Sequence, residues 1–253
     1  MKIGIIGVGY IGKTLALKLS ESGHNVAVAS SSGPENIDPS VLATGAVAVT
    51  AREAVQDKDV IILSIPLERT PEVAPLFADV SKDVVVIDTS NYIPARDGKI
   101  ESIEAGQVES LWVQQQLGRP IAKAWNAILA HSFATKGKPA GNPDRIAIPI
   151  SADREIDREI DREITLKLVD ETGFDAFDAG SLVDSWRHQP AAPAYCTDLT
   201  LAEIQAVIDT AEKERLPKRR ALAYAVLTER MGGVSPENID WEFVLRISRA
   251  LYL

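Results

Sequence analysis

Near the N-terminus, Gly7-Val8-Gly9-Tyr10-Ile11-Gly12 forms a G-x-G-x-x-G run directly after the β-rich residues 2–6 and at the start of a helical pattern over residues 10–22. That context gives each glycine a task. Gly7 permits a tight turn, Gly9 lets a pyrophosphate approach the backbone, and Gly12 lets the helix pack close to the strand. The pattern predicts dinucleotide binding at Gly7, Val8, Gly9, Tyr10, Ile11 and Gly12. The end of the next apolar run, residues 25–29, bears on which dinucleotide. An NAD site usually places an acidic residue there, whereas this chain has Ser30-Ser31-Ser32-Gly33-Pro34, with Glu35 following. Three hydroxyls can receive a 2′-phosphate without like-charge repulsion, so NADP is expected. No Arg or Lys lies in the loop, so NAD stays open, and a Ser-rich turn can also simply cap and solvate the loop.

Further polar and aromatic groups follow the later apolar runs. Ser64-Ile65-Pro66-Leu67 reads as lying beside the adenosine or nicotinamide side of a cleft, Asn91 as positioning a nicotinamide or substrate carbonyl, and Asn126 as holding the nicotinamide or acceptor ring. Asn126, His131 and His188 are the candidate catalytic groups. His131 can donate a hydrogen bond or meet an anionic substrate. His188 lies in Ser185-Trp186-Arg187-His188-Gln189-Pro190, read as a wall for a planar acceptor in which His188 tunes proton delivery. Asn91, His131 and the 185–190 loop have equally ordinary readings, as a turn former, a structural histidine and a packed interdomain loop.

Placing these residues in one crevice needs an α/β chain. Residues 46–49, 60–65, 84–88 and 122–125 read as further strands, with helical crossovers at 51–56, 71–77 and 104–117. The runs at 60–65 and 84–87 are almost all aliphatic, as in a parallel sheet covered on both faces. Right-handed crossovers then line the strand C-termini along one crevice. Residues 145–150 and 174–177 add a strand and an edge strand. Asp-Arg-Glu-Ile occurs three times over residues 153–164, putting Ile156, Ile160 and Ile164 at i,i+4 spacing with Glu155–Arg158 and Glu159–Arg162 pairs. This reads as a solvated helix face. Helical patterns at 199–213, 219–229 and 236–251 form a C-terminal appendage. The expected fold is Rossmann-like and doubly wound, with a mainly parallel sheet in residues 1–180 and a mostly helical extension or small domain in 181–253.

Composition narrows the partners. A chain of 253 residues with 45% apolar content can build its own core, and 36 acidic against 27 basic residues leave a net charge of -9. A nonspecific nucleic-acid binder needs a basic footprint, so no nucleic-acid partner is expected. Cys196 is the single cysteine, which leaves no disulfide framework or Cys-rich zinc site, and no metal is expected. The N-terminal apolar run is too short to span a bilayer, so a cytoplasmic location with no membrane partner is expected. The apolar surfaces of the C-terminal helices allow a homodimer or a completed monomer core.

The motifs GVGYIG (7–12), SSSGPEN (30–36), IP (65–66), DTSNY (88–92), KAWN (123–126) and DAGSLVDSW (178–186) resemble the NADP-dependent oxidoreductases that reduce a deazaflavin coenzyme. That family also includes the cytoplasmic domain of transmembrane ferric reductases. The resemblance extends over residues 1–190. It implies direct hydride transfer between nicotinamide C4 and a stacked flavin or deazaflavin co-substrate, with the protein supplying alignment. It further implies pyrophosphate at Gly7, Gly9 and Gly12, the 2′-phosphate beside Ser31 and Ser32, and nicotinamide near Pro66, Asn91 and Asn126. Ser32 departs from the family's usual Ser-Arg-Gly-Pro arrangement, which weakens phosphate recognition. The expected function is NAD(P)H-dependent hydride transfer to a flavin-like, deazaflavin or other small planar acceptor. Reduction of a small imine or carbonyl, with His131, His188 or Tyr195 as proton donor, is one alternative. A nonenzymatic NADP-binding regulatory module is another.

Overall fold

The computed structural model describes residues 1–153, 159–232 and 239–253. Its described strands are β1 (Lys2–Ile6), β2 (Asn25–Ala29), β3 (Val47–Ala48), β4 (Val60–Leu63), β5 (Val85–Asp88), β6 (Ala122–Lys123), β7 (Ala147–Ala152) and β8 (Asp175–Asp178). They form one sheet in the order β3-β2-β1-β4-β5-β6-β7-β8. The pairs from β3 through β6 are parallel, β7 runs antiparallel to β6, and β8 is parallel to β7 at the edge. The expected mainly parallel, Rossmann-like sheet is therefore present, with one reversal at β7. Every residue of β4 and β5 is buried, as their aliphatic sequences require of strands covered on both faces.

The helices are α1 (Tyr10–Glu21), α2 (Ala51–Val55), α3 (Thr70–Val73), α4 (Pro94–Asp97), α5 (Glu101–Glu104), α6 (Glu109–Leu117), α7 (Ala130–Thr135), α8 (Glu159–Glu171), α9 (Leu201–Val207), α10 (Leu216–Met231) and α11 (Trp241–Tyr252). One cluster on the sheet gathers Ile3, Ile5, Leu15, Leu19, Ile62 and Phe133. Another gathers Ile61, Leu63, Phe77, Tyr92, Trp112 and Leu182. Neighbouring strand residues thus point into opposite layers, as a doubly wound sheet demands.

Several elements differ from expectation for local reasons. The helix expected over 104–117 is divided, because Gly106 turns the chain at φ +102° between α5 and α6. The 71–77 crossover is a short α-helix followed by a 3₁₀ turn, with Pro71 and Pro75 each in a first turn. The 199–213 helix stops after Val207, although Thr200 and Glu203 start it with a reciprocal capping box. The helix expected over 219–229 is longer, because Pro217 fits its first turn. The β6 run ends before Trp125, whose φ of +56° no strand accommodates.

Within the triple repeat, Ile156 and the Glu155–Arg158 pair lie outside the described residues. Of the rest, Ile160 is exposed, whereas Ile164 packs against the core. Arg162 pairs with Glu159 and with Asp178 on β8 at 2.6 Å, so this face of α8 is tied to the sheet edge. The region after β8 is helical among the described residues, and α10 and α11 fold back over the sheet's C-terminal edge.

Candidate active site

The glycine turn joins β1 to α1 under tight constraint. Gly7 has φ +101°, and a Cβ there would lie 2.1 Å from the Ser64 carbonyl oxygen; at Gly12 it would lie 2.0 Å from the Gly7 carbonyl oxygen. Both positions are glycine because the chain's own backbone fills the space. Gly9 differs: its φ is -65°, and a Cβ there would meet nothing within 4 Å. The open space beside Gly9 belongs to a cleft of about 480 Å³ that Gly9, Tyr10 and Ile11 line. The α1 N-terminus has no side-chain cap and no acidic residue in its first turn. Its first N–H groups have no carbonyl partner within the helix, so this end suits an anion.

The loops after β4, β5 and β6 complete the polar wall. Ser64, Ile65 and Pro66 line the cleft beside Gly9, followed by Thr89, Ser90 and Asn91, and then by Trp125 and Asn126. A buried ion pair sets the β5 loop. Lys123 Nζ lies 2.5 Å from Asp88 Oδ2 and 2.5 Å from the Ser90 carbonyl oxygen, with neither side chain more than 1% exposed. Asp88 also accepts from the Ser90 backbone N–H at 3.0 Å and from the Ser90 hydroxyl at 3.1 Å. Buried Glu109 accepts from the Tyr92 backbone N–H at 2.9 Å, and burial raises its carboxyl pKa to about 7 despite nearby Lys123.

Asn91 and Asn126 meet across the cleft floor. Asn126 Nδ2 donates to the His188 carbonyl oxygen at 2.9 Å and to Asn91 Oδ1 at 3.2 Å. Its Oδ1 lies 3.1 Å from His188 Nδ1. Because Oδ1 only accepts, Nδ1 carries the imidazole proton, and Nε2 accepts from the Ser151 hydroxyl at 2.9 Å. Both N–H groups of the Asn126 amide are thereby committed to protein. Asn91 Nδ2 donates to the Asn126 carbonyl oxygen at 2.8 Å. Asn91, which lines the cleft, therefore retains one N–H and one acceptor lone pair without a partner among the described residues.

This arrangement revises two sequence expectations. His188 is fully buried, and desolvation, aided by Lys123, lowers its pKa to about 3. It holds Asn126 and stands outside the cleft lining, where a proton-delivering role had been expected. The 185–190 loop as a whole also stands outside that lining. Ser185 bonds Ser110 at 2.9 Å, while Arg187 covers Trp186 at 4.7 Å and faces Asp209 at 3.5 Å.

The rest of the cleft lining comes from Tyr195 and Cys196 and from the C-terminal helices, through Leu227, Met231, Trp241 and Val244. Trp241 meets Tyr10 edge-on at 5.9 Å and stacks on His131 at 6.3 Å. His131 supports Trp241 from outside the lining. Burial raises the Tyr195 phenol well above its ordinary pKa, keeping it protonated at neutral pH. Arg96, on α4, also lines the cleft and was missed in the sequence, where it is one of many surface-type arginines. The positive φ values of Trp125 and Cys196 mark this wall as constrained backbone, and nothing in residue type signals them.

Ser30, Ser31 and Ser32 stand apart at the end of β2. The Ser30 and Ser32 hydroxyls are 2.9 Å apart, and Asn36 donates to the Ser32 carbonyl oxygen at 2.5 Å. Among the described residues, no ion pair places a cation on this turn. Val8 packs against the core rather than lining the cleft. None of the described residues forms a group of three or more His, Cys, Asp or Glu suited to a metal ion. No helix of the described residues is long and apolar enough to cross a membrane.

Comparison with known proteins agrees with this geometry. Residues 2–92 match the family model "NADP oxidoreductase coenzyme F420-dependent", which ends before the KAWN and DAGSLVDSW motifs. Escherichia coli K12 YjhV is 33% identical over 87 residues, or 34% of this chain; the matched stretch spans 61% of YjhV's own length. The structure of SMa0349 from Sinorhizobium meliloti superposes with a TM-score of 0.68 at 24% identity, covering 79% of this chain and 95% of that one. A chain from Arthrobacter sp. FB24, described as an F420-dependent NADP reductase, superposes at TM-score 0.57 and 14% identity, covering 92% and 96%. The glycine turn, the strand order and the family match coincide in one segment: residues 2–92 are similar to the F420-dependent NADP oxidoreductase model and lie on a Rossmann-like sheet.

Proposed function

We propose that this protein is an NAD(P)H-dependent oxidoreductase that passes hydride to a flavin-like, deazaflavin or other small planar acceptor. The observation that carries this reading is the empty volume beside Gly9. It opens from the uncapped α1 N-terminus into the same cleft as Ile65, Pro66, Asn91 and Asn126. The backbone N–H groups at Gly9, Tyr10 and Ile11 would hold the pyrophosphate, and the turn at Ser30, Ser31 and Ser32 would receive the adenosine ribose or its 2′-phosphate. The free N–H and lone pair of Asn91 match a primary carboxamide, so Asn91 would orient the nicotinamide, with Asn126 bracing it. The reduced nicotinamide supplies the hydride from C4.

The protein's part is alignment and exclusion of water. Ile65, Pro66, Trp241, Leu227, Met231 and Val244 together give the cleft a largely apolar lining. Such a wall suits a planar ring and needs no acid–base residue of its own. One observation favours a second reading, reduction of a small imine or carbonyl. Tyr195 lines the cleft, where its phenolic O–H would hydrogen-bond an imine nitrogen or carbonyl oxygen, although its raised pKa makes it a weak acid for proton transfer. A regulatory NADP-binding module would share the dinucleotide contacts without turnover. The single cysteine and the reliance on a nicotinamide cofactor fit a cytoplasmic location, and α10 offers half-exposed Leu222 to a homodimer contact.

Titration of purified protein with NADPH and NADH tests the dinucleotide reading. Saturable binding of at least one nucleotide, weakened by Gly9→Ala, is expected, with NADPH the tighter if the serine turn accepts the 2′-phosphate. Absence of binding to either nucleotide would sink it.

A further inference from the structure

Among the described residues that line the cleft, Arg96 alone carries a formal charge; its neighbours there are mostly apolar. We propose that Arg96 reads an anionic group, a carboxylate or a phosphate, on the acceptor that enters from the C-terminal helix side. The inference rests on the reading that the dinucleotide occupies the glycine-turn end of the same cleft.

Hydrogen bonding accounts for three of the five guanidinium N–H groups. Nε and Nη2 fork the Asp97 carboxylate at 2.5 and 3.1 Å, and Nη2 also donates to the Asn91 carbonyl oxygen at 2.8 Å. Both N–H groups of Nη1 are left without a hydrogen-bond partner among the described residues. Asp97 is fully enclosed and is held in turn by the Ile93 backbone N–H at 2.7 Å, whereas the Arg96 side chain is 42% exposed. The pair therefore has its acid enclosed, while the part-exposed Arg96 lines the cleft. Asp97 and the neighbouring Glu68 are both absent from the lining. Tyr195, beside Arg96, keeps its phenolic proton and adds no opposing charge.

A guanidinium fixed on one edge by a carboxylate fork loses little freedom when its other edge binds an anion. An apolar wall makes a neutral ligand a poor match for those two donors, because it leaves them unpaired once water is displaced. A ring-bearing acceptor with an anionic arm satisfies both features, with its ring over the nicotinamide side and its arm at Arg96. Flavin phosphates and planar 2-oxo acids are the two chemical sources of such an arm.

Paired probes separate charge from shape. Equilibrium dialysis of the NADP⁺-saturated protein would compare FMN with riboflavin, and phenylpyruvate with its methyl ester, on wild type, Arg96→Gln and Arg96→Lys. Loss of one charged hydrogen bond corresponds to about tenfold in affinity. Wild type should bind at least one anionic member about tenfold tighter than its neutral partner. That ratio should fall toward one in Arg96→Gln and survive in part in Arg96→Lys, each variant being measured at its own NADP⁺ saturation. The pair that shows the preference identifies phosphate or carboxylate as the group read.

A merely structural Arg96 would weaken both members of a pair equally and leave the ratio intact, which overturns the proposal. It is also overturned if neither anionic member binds better than its neutral partner. Failure of wild type to bind NADPH would remove the dinucleotide reading and this proposal together. NADPH binding with no charge preference removes only this one.

Discussion

Gly9 and Gly12 look alike in the sequence and differ in the structure, which makes them a matched test. Alanine at position 9 meets open space, so Gly9→Ala should change folding stability by less than about 0.5 kcal/mol while weakening dinucleotide binding about tenfold or more. Alanine at position 12 strikes the Gly7 carbonyl, so Gly12→Ala should destabilise the fold by about 1–3 kcal/mol. Chemical denaturation alongside nucleotide titration separates the two effects. Equal stability losses in both variants would contradict the assignment of the Gly9 space to a ligand. Lys123 belongs to the same scale. Replacing it by Met leaves Asp88 buried and unpaired, at an expected cost of about 3–5 kcal/mol in urea denaturation.

His188 supplies a pH test with a definite sign. Its folded pKa near 3 lies below its ordinary value of 6.5, so the unfolded chain binds more protons between those limits. The native contribution is full above the unfolded pKa and is lost as pH falls toward 3, by about 1.4 kcal/mol per pH unit in that window. The stability lost in His188→Gln should therefore be greatest near pH 7.5 and shrink by about that slope below pH 6.5. A pH-independent difference would show that His188 is not held neutral. Raised Glu109 acts in the opposite direction, losing its contribution between pH 4.5 and 7, but it is common to both proteins and cancels from their difference. The glycines were legible because their spacing is a backbone requirement. The placing of His188 was not, because its Ser151 and Asn126 partners are 37 and 62 residues away.

At the scale of elements, α11 decides the shape of the cleft. Asp240 caps it by accepting from the Phe243 backbone N–H at 3.0 Å, and Arg249 anchors its far end to the Thr197 carbonyl oxygen at 2.8 Å. Asp240→Ala should cost about 1 kcal/mol, read by thermal denaturation. If α11 positions Trp241 as described, that substitution should also weaken acceptor binding more than NADPH binding. An unchanged acceptor affinity would detach α11 from the acceptor site. Buried strands such as β4 and β5 were legible from their aliphatic runs. The wall contributed by α10 and α11 was not, because helical periodicity fixes which face is apolar without saying what it covers. The 185–190 loop misled for a related reason: aromatic and cationic groups suit a binding wall, yet here Arg187 covers Trp186 and faces Asp209, and Ser185 bonds Ser110.

Across the whole molecule, the account places one cleft at the C-terminal ends of β1, β4, β5 and β6, closed by the chain's own last helices. Ligand that binds only the folded state must then stabilise the entire unit. At a nucleotide concentration near 100 times Kd the gain is about 2.7 kcal/mol, and each kcal/mol raises Tm by roughly 2–4 °C for a chain of this size. The Rossmann-like sheet was readable because alternating apolar runs and helices admit few topologies. The β7 reversal depends on nonlocal pairing and left no local sign. Hydride transfer from a dinucleotide whose pyrophosphate sits at Gly9 and whose nicotinamide sits at Asn91 is read by the loss of NADPH absorbance on adding FMN or a deazaflavin. Acceptor-dependent oxidation by wild type, lost in folded Gly9→Ala, is expected. NADPH binding without oxidation by either acceptor, or undiminished turnover in Gly9→Ala, would contradict it.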